Sequence, residues 1–94
     1  MTKTDSYANE RIGFYEARFA SETIHQLVQN FNNLAASRGW TVERSCYSAA
    51  LIRELERRGI DLTAIVSNND TGLPTIRYIH VAYDEATHAL LSIA

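Results

Sequence analysis

The spacing of apolar residues changes at Gly59, and this change constrains the fold more than any other feature of the sequence. Before Gly59, apolar residues recur every three or four positions, which places them on one side of an α-helix. After Gly59, β-branched and aromatic residues dominate and follow a period of two, which is typical of strands. The sequence therefore predicts that the helices before Gly59 give way to strands after it, and so an α+β domain.

One amphipathic helix is predicted after Ser21, with Ser21 as its N-cap and Gly39 as the residue that terminates it. Its length is about sixteen residues. Its apolar side consists of Ile24, Leu27, Val28, Phe31, Leu34 and Ala35. Its other side is polar but uncharged, and consists of Gln26, Gln29, Asn30, Asn32 and Asn33. We take this polar side as solvent-exposed, with a contact surface as the alternative.

A second helix is predicted from Ser45 or Ser48 to Arg58, followed by Gly59. Residues 40–42, which precede it, are expected to form a loop. Its inward side consists of Tyr47, Leu51, Ile52 and Leu55.

The carboxy-terminal third predicts an antiparallel meander. Its expected strands are residues 60–67, 75–83 and 88–93, joined by a turn at residues 68–72 and a connection at residues 84–87. This meander would form a sheet that needs helices on one face.

Residues 12–19 fit two interpretations. A helix would align Ile12, Tyr15 and Phe19, whereas Gly13 and the β-favouring residues disfavour a helix. We take the segment as a strand. The predicted fold is therefore a two-layer α+β sandwich of order β-α-α-β-β-β, with an antiparallel sheet and two helices on one face.

Length and composition indicate one small domain over residues 1–94, with residues 1–10 as a flexible arm. The content of 46% hydrophobic and 21% charged residues is ordinary for a globular protein. Cys46 is the single cysteine, which favours a reducing compartment, and the amino terminus lacks the apolar stretch of a secretory signal. We therefore expect a cytoplasmic protein that does not enter a membrane.

The predicted strands carry apolar residues at both alternating sets of positions. One set is Tyr78, His80, Ala82, Leu91 and Ile93, and the other is Ile79, Val81, Tyr83 and Leu90. Two helices can cover only one sheet face, so the other face is expected to press against a second copy of the chain. The candidate interface residues are Tyr78, Ile79, His80, Val81, Leu90 and Leu91.

Few residues suggest chemistry. Cys46 would lie in the first turn of the second helix if Ser45 is its N-cap, where the helix dipole activates a thiol. Tyr83 and His88 flank the predicted connection and would face each other, which suits weak acid or base chemistry. The three histidines do not show the spacing of a metal site, and we predict no metal and no cofactor.

Four arginines suggest a weak nucleic-acid contact along the second helix. They are Arg44, Arg53, Arg57 and Arg58. The interleaved acids Glu54 and Glu56 oppose this interpretation, as does the net charge of −2.

The leading functional prediction is a small protein–protein interaction or regulatory module without catalytic activity, which forms a homo-oligomer. The alternative is an accessory nucleic-acid-binding protein that uses the arginines of the second helix. A third hypothesis is a small enzyme that uses Cys46 or the Tyr83/His88 corner.

Overall fold

Helices come first along the chain and two β-hairpins follow, in a computed structural model that describes residues 3–37, 39, 41–68 and 74–93. The helices are α1 (Lys3–Phe19), α2 (Ile24–Ala36) and α3 (Val42–Arg57). The strands are β1 (Val66–Asn68), β2 (Pro74–Ile76), β3 (Val81–Asp84) and β4 (Ala89–Ser92). β1 pairs with β2 and β3 pairs with β4, both antiparallel, in two separate sheets.

The predicted order β-α-α-β-β-β is therefore wrong, and so is the single sheet with two helices on one face. The observed order is α-α-α-β-β-β-β. Residues 12–19, predicted as a strand, belong to α1. Packing decides this, because the helical conformation buries Phe19 completely and brings its ring edge-on to Tyr47 of α3 at 5.1 Å. Gly13 is exposed and costs only about 1 kcal/mol of helix propensity.

Residues 3–10 also belong to α1. The expectation that residues 1–10 form a flexible arm concerns mobility and stays a prediction.

Both later helices begin at a threonine rather than at the predicted serines. Thr23 and Gln26 form a capping box, with Thr23 N donating to Gln26 Oε1 at 2.8 Å and Gln26 N donating to Thr23 Oγ1 at 3.1 Å. Thr41 caps α3 by accepting from Arg44 N at 3.1 Å. Gly39 and Gly59 have the positive φ angles, 86° and 75°, that the sequence predicts after each helix.

The predicted strand over residues 75–83 is interrupted. Residues 77–80 turn away from the extended ladder, with Ile79 N donating to Arg77 O at 3.1 Å, so β2 and β3 fall in different sheets. Of the segment 60–67, only the end lies in β1, while Asp61 forms an isolated parallel bridge with Ala89. Most of the predicted turn at residues 68–72 lies outside the described residues.

The core lies where the three helices meet the inner side of the β3–β4 hairpin. Its largest fully buried side chains are Phe19, Leu27, Phe31, Leu51, Leu55, Ile65, Val81 and Leu90. α1 and α3 run parallel, because Arg11 in the middle of α1 contacts Glu43 in the first turn of α3, whereas Arg58, the C-cap of α3, contacts Phe19 O at the end of α1. None of the helices in the described part of the chain is long and apolar enough to cross a membrane.

Candidate interaction surface

The β3–β4 hairpin has one buried face and one exposed face. Val81 and Leu90 point into the core and are each 1% exposed. Ala82 lies opposite Leu91 in the register, and Ile93 N donates to His80 O at 3.2 Å. The exposed side, which we call the outer face, therefore consists of His80, Ala82, Leu91 and Ile93.

The outer face carries two large apolar side chains, and the charged residue on the same side of the hairpin, Asp84, is partly buried and accepts a hydrogen bond from Thr87. Leu91 is 49% exposed and Ile93 is 56% exposed. They occupy alternate positions next to each other on the same side of the chain. Ala82 adds a small apolar side chain beside Leu91, and His80 lies at the end of the face. An exposed apolar strand surface of this kind is a candidate contact site.

The predicted interface residues divide between the core and the surface. Val81 and Leu90 are core residues, and Ile79 packs against the core. The hydroxyl of Tyr78 lies 2.7 Å from Ser48 Oγ. Of the predicted residues, only His80 and Leu91 are exposed.

Two residues of the outer face are missing from the predicted interface, namely Ala82 and Ile93. Their alternation with His80 and Leu91 was the sequence signal that could have identified them. The alternation predicts which residues share a face of the hairpin. It does not predict which of the two faces the helices cover.

The edge of β3 is occupied by a side chain of α2. Asn32 Nδ2 donates to Val81 O at 2.9 Å, and Val81 N donates to Asn32 Oδ1 at 2.9 Å. The amide group of Asn32 therefore makes the two main-chain hydrogen bonds that a neighbouring strand would make. Nearby, the ring of His25 meets Tyr83 edge-on at 6.2 Å. α2 thus covers this edge of the hairpin.

Tyr83 and His88 lie together, as the hairpin prediction implies. Tyr83 Oη is 2.5 Å from His88 Nδ1, and His88 Nε2 is 2.9 Å from Arg58 O. Because a carbonyl oxygen only accepts, Nε2 carries a proton and donates to Arg58 O. Both ring nitrogens of His88 are therefore engaged within the fold.

The backbone of His88 is held as firmly as its ring. Its φ angle is 53°, in the left-handed region that non-glycine residues rarely adopt. Asp61 N donates to His88 O at 2.9 Å. Together with the two ring contacts, this bond fixes the end of the hairpin against the end of α3. We assign Tyr83 and His88 a structural role.

Two of the candidate nucleic-acid arginines cap helices. Arg44 Nη2 donates to Leu34 O at 2.8 Å, at the end of α2. Arg58 Nη2 donates to Phe19 O at 3.0 Å and to Glu22 O at 2.6 Å, at the end of α1. Terminal carbonyl groups of a helix need such donors, and the positive charge also suits the dipole there.

The other two candidate arginines are more exposed and are ion-paired. Arg53 pairs with Glu16 of α1 at 3.3 Å. Arg57 binds Glu54, which also accepts from Arg58 Nε at 2.7 Å. Glu54 is only 3% exposed, and its pKa is lowered by the hydrogen bonds from Arg57 and Arg58 against the opposing effect of burial. The structure therefore gives all four arginines partners within the chain.

A polar cluster joins the middle of α1 to the first turn of α3. Glu43 accepts from Arg11 Nε at 2.9 Å, from Tyr15 Oη at 2.6 Å and from Tyr7 Oη at 3.1 Å. These hydrogen bonds, led by that of Arg11, lower the pKa of Glu43 to about 2. The same carboxylate raises the pKa values of both tyrosines, because each hydroxyl proton is shared with it. The cluster fixes α1 against α3.

Two shallow grooves flank the helices. One, of about 400 Å³, is lined by Tyr15, Leu34, Ser37, Gly39, Thr41, Glu43, Arg44 and Tyr47. The other, of about 360 Å³, is lined by Gly13, Glu16, Ala17, Ala20, Arg53, Glu54 and Arg57. In the second groove Arg53 pairs with Glu16 and Arg57 with Glu54, whereas in the first Glu43 pairs with Arg11 and Arg44 donates to backbone carbonyl groups. Among the described residues, no cluster of His, Cys, Asp or Glu side chains is arranged to hold a metal ion.

Cys46 lies one turn further into α3 than predicted. Because α3 begins at Val42 rather than after Ser45, Cys46 is beyond the first turn and its side chain is buried. The placement of Cys46 in the first turn of the helix, which depended on Ser45 as the N-cap, is therefore wrong, because Thr41 caps α3.

Comparison with protein-family models, with curated proteins and with solved structures finds no match to this chain.

Proposed function

We propose that this chain is a protein-interaction module that associates with a second copy of itself through the β3–β4 hairpin, with the outer-face residues Leu91 and Ile93 in the contact. The observation that carries the proposal is the pair Leu91 and Ile93, two neighbouring aliphatic side chains that are each about half exposed on the same side of the hairpin. Contiguous exposed apolar residues on a small domain are typical of contact surfaces. A symmetric dimer would bury the same residues on both copies.

The size of the outer face indicates a weak association. A stable interface buries about 800 Å² on each partner, and two half-exposed aliphatic residues supply only part of that area. We therefore expect a dissociation constant between about 10 µM and 1 mM. Such an interaction suits a regulatory contact that forms and dissolves with concentration.

Two further observations favour this function over the alternatives. The arginines considered for nucleic-acid binding are engaged with carboxylates and helix carbonyls. The ring nitrogens of His88 are engaged with Tyr83 and Arg58. A cytoplasmic location is part of the proposal, and the single cysteine supports it because it has no disulfide partner within the chain.

The test is sedimentation equilibrium over a series of protein concentrations from the low micromolar to the millimolar range. The wild-type chain should show a reversible increase in mass with concentration. Leu91→Glu should abolish it, because the substitution places a charge in the contact. Val42→Glu is the matched control, since Val42 is 55% exposed but lies at the start of α3, where the helix dipole favours an acid.

A wild-type chain that stays monomeric over the whole series would contradict the proposal. The proposal would also be contradicted if Val42→Glu removes the association and Leu91→Glu leaves it unchanged, because the contact would then lie on the helices.

A further inference from the structure

The direction of the backbone groups along the β3–β4 hairpin shows which edge is available for pairing. In an antiparallel pair, the N–H and C=O groups of alternate residues point toward the neighbouring strand and away from it. Ile93 N donates to His80 O, so the backbone groups of Ile93 and His80 point toward each other. Leu90 N donates instead to Asp61 O, on the far side of β4. Ser92, two residues after Leu90, points to this same far side.

The two edges of the hairpin differ in how they are covered. On the β3 edge, both outward groups of Val81 are bonded to Asn32. On the β4 edge, Asp61 covers Leu90 and Ala89. At Ser92, the described part of the chain supplies no hydrogen-bond partner for the outward N–H and C=O groups. Ser92 is exposed, and the exposed residues Leu91 and Ile93 flank it.

We propose that β4 pairs antiparallel with β4 of a second copy, about a two-fold axis at Ser92. This inference rests on the proposed function, since it specifies how the two copies meet. Ser92 N would donate to the carbonyl oxygen of the partner's Ser92, and the reverse bond would form by symmetry. The two hairpins would then form one four-stranded sheet of order β3-β4-β4-β3.

The register of this pairing brings the exposed aliphatic residues together. With Ser92 opposite its copy, Leu91 lies opposite the partner's Ile93, and Ile93 lies opposite the partner's Leu91. All four side chains lie on the outer face, where directly opposite residues are about 5 Å apart and pack well. Asp61 limits the overlap, because it already occupies the edge at Leu90 and prevents β4 of the partner from pairing further along.

A second copy fits this edge for two reasons. Exposed edge strands usually resist pairing because they carry charged residues or proline. The stretch Ala89–Ile93 contains neither. In addition, the contact is self-complementary, because each copy offers one donor, one acceptor and the same two aliphatic side chains.

The deciding variant is Ser92→Pro, with Ser92→Ala as its control. Proline removes the outward N–H but leaves the bonds between β3 and β4 intact, since the Ser92 amide does not point toward β3. Ser92→Ala keeps the amide and removes only the hydroxyl. We expect Ser92→Pro to raise the dissociation constant of the dimer at least tenfold, about 1.4 kcal/mol, whereas Ser92→Ala stays within about twofold of wild type.

Hydrogen exchange gives a second readout that does not depend on the proline variant folding. In the wild-type chain, the amide of Ser92 should exchange more slowly as protein concentration rises, while the amide of Val81 should not change. Edge pairing would be overturned if Ser92→Pro self-associates as tightly as the wild-type chain and the wild-type Ser92 amide gains no protection with concentration. The proposed function would still stand in that case. A wild-type chain that never associates would overturn both.

Discussion

Asn32→Ala tests how the helices hold the β3–β4 hairpin. The substitution removes two hydrogen bonds of 2.9 Å and leaves the N–H and C=O groups of Val81 without their partner. Val81 is a buried residue, so water replaces these bonds poorly. An unsatisfied buried polar group costs about 1–3 kcal/mol. We expect the free energy of unfolding to fall by about 2–4 kcal/mol, a large fraction of the stability of a small domain.

The matched control is Asn33→Ala, one position along the same helix. Asn33 is exposed, and its side chain accepts only from Gln29 Nε2 at 3.2 Å, an interaction worth about 0.2–0.5 kcal/mol. Both variants gain the same helix propensity from alanine, so that contribution cancels in the comparison. Urea unfolding, followed by circular dichroism, measures the difference. If the two variants differ by less than about 0.5 kcal/mol, the Asn32 amide does not hold β3.

Three further predictions concern the core, the polar cluster and the cysteine. Phe31→Ala should lower the free energy of unfolding by about 3–5 kcal/mol in urea titration, because Phe31 is fully buried; a loss below about 1 kcal/mol would contradict its core position. Because its hydrogen bonds lower the pKa of Glu43 from 4.5 to about 2, the stability that ionised Glu43 contributes should be complete above pH 4.5 and disappear as the pH falls toward 2. Glu43→Gln should lack this component of the acid-unfolding profile, and an identical profile would contradict the assignment. Alkylation of the buried Cys46 in the folded protein should be slow at neutral pH, and rapid modification would contradict its burial.

The helix α1 shows where sequence reasoning failed and why. The helical alignment of Ile12, Tyr15 and Phe19 was visible in the sequence, but the local propensities of Gly13 and its neighbours favoured a strand. The decisive contribution is tertiary, because Phe19 is buried against Tyr47 of α3. The sequence does not show that α1 and α3 run side by side. The free energy gained by burying Phe19 could therefore not be compared with the loss of helix propensity at Gly13.

The β3–β4 hairpin was predictable because its signals are local. Alternating apolar residues and the polar connection at residues 84–87 predicted the pairing that brings Tyr83 to His88. The sheet beyond this hairpin was not predictable. The bend at residues 77–80 separates β2 from β3, and no glycine or proline within it signals the interruption.

The long-range roles of polar residues were the least predictable part of the candidate site. Asn32 belongs to the polar side of α2 that the sequence analysis takes as solvent-exposed, and its partner lies in β3. Arg44 and Arg58 resemble surface cations in the sequence, yet they cap helices that are distant along the chain. Such partners depend on how complete elements pack, which residue spacing does not specify.

An NMR dilution series tests most directly whether the hairpin is the contact between copies. Backbone amide shifts would be recorded from about 1 mM down to about 20 µM, a range that spans the expected dissociation constant. Concentration-dependent shifts should concentrate at Leu91, Ser92 and Ile93, and to a smaller extent at His80 and Ala82. The hairpin would not be the contact if the amide shifts stay constant on dilution, or if they change on the exposed side of α1 instead.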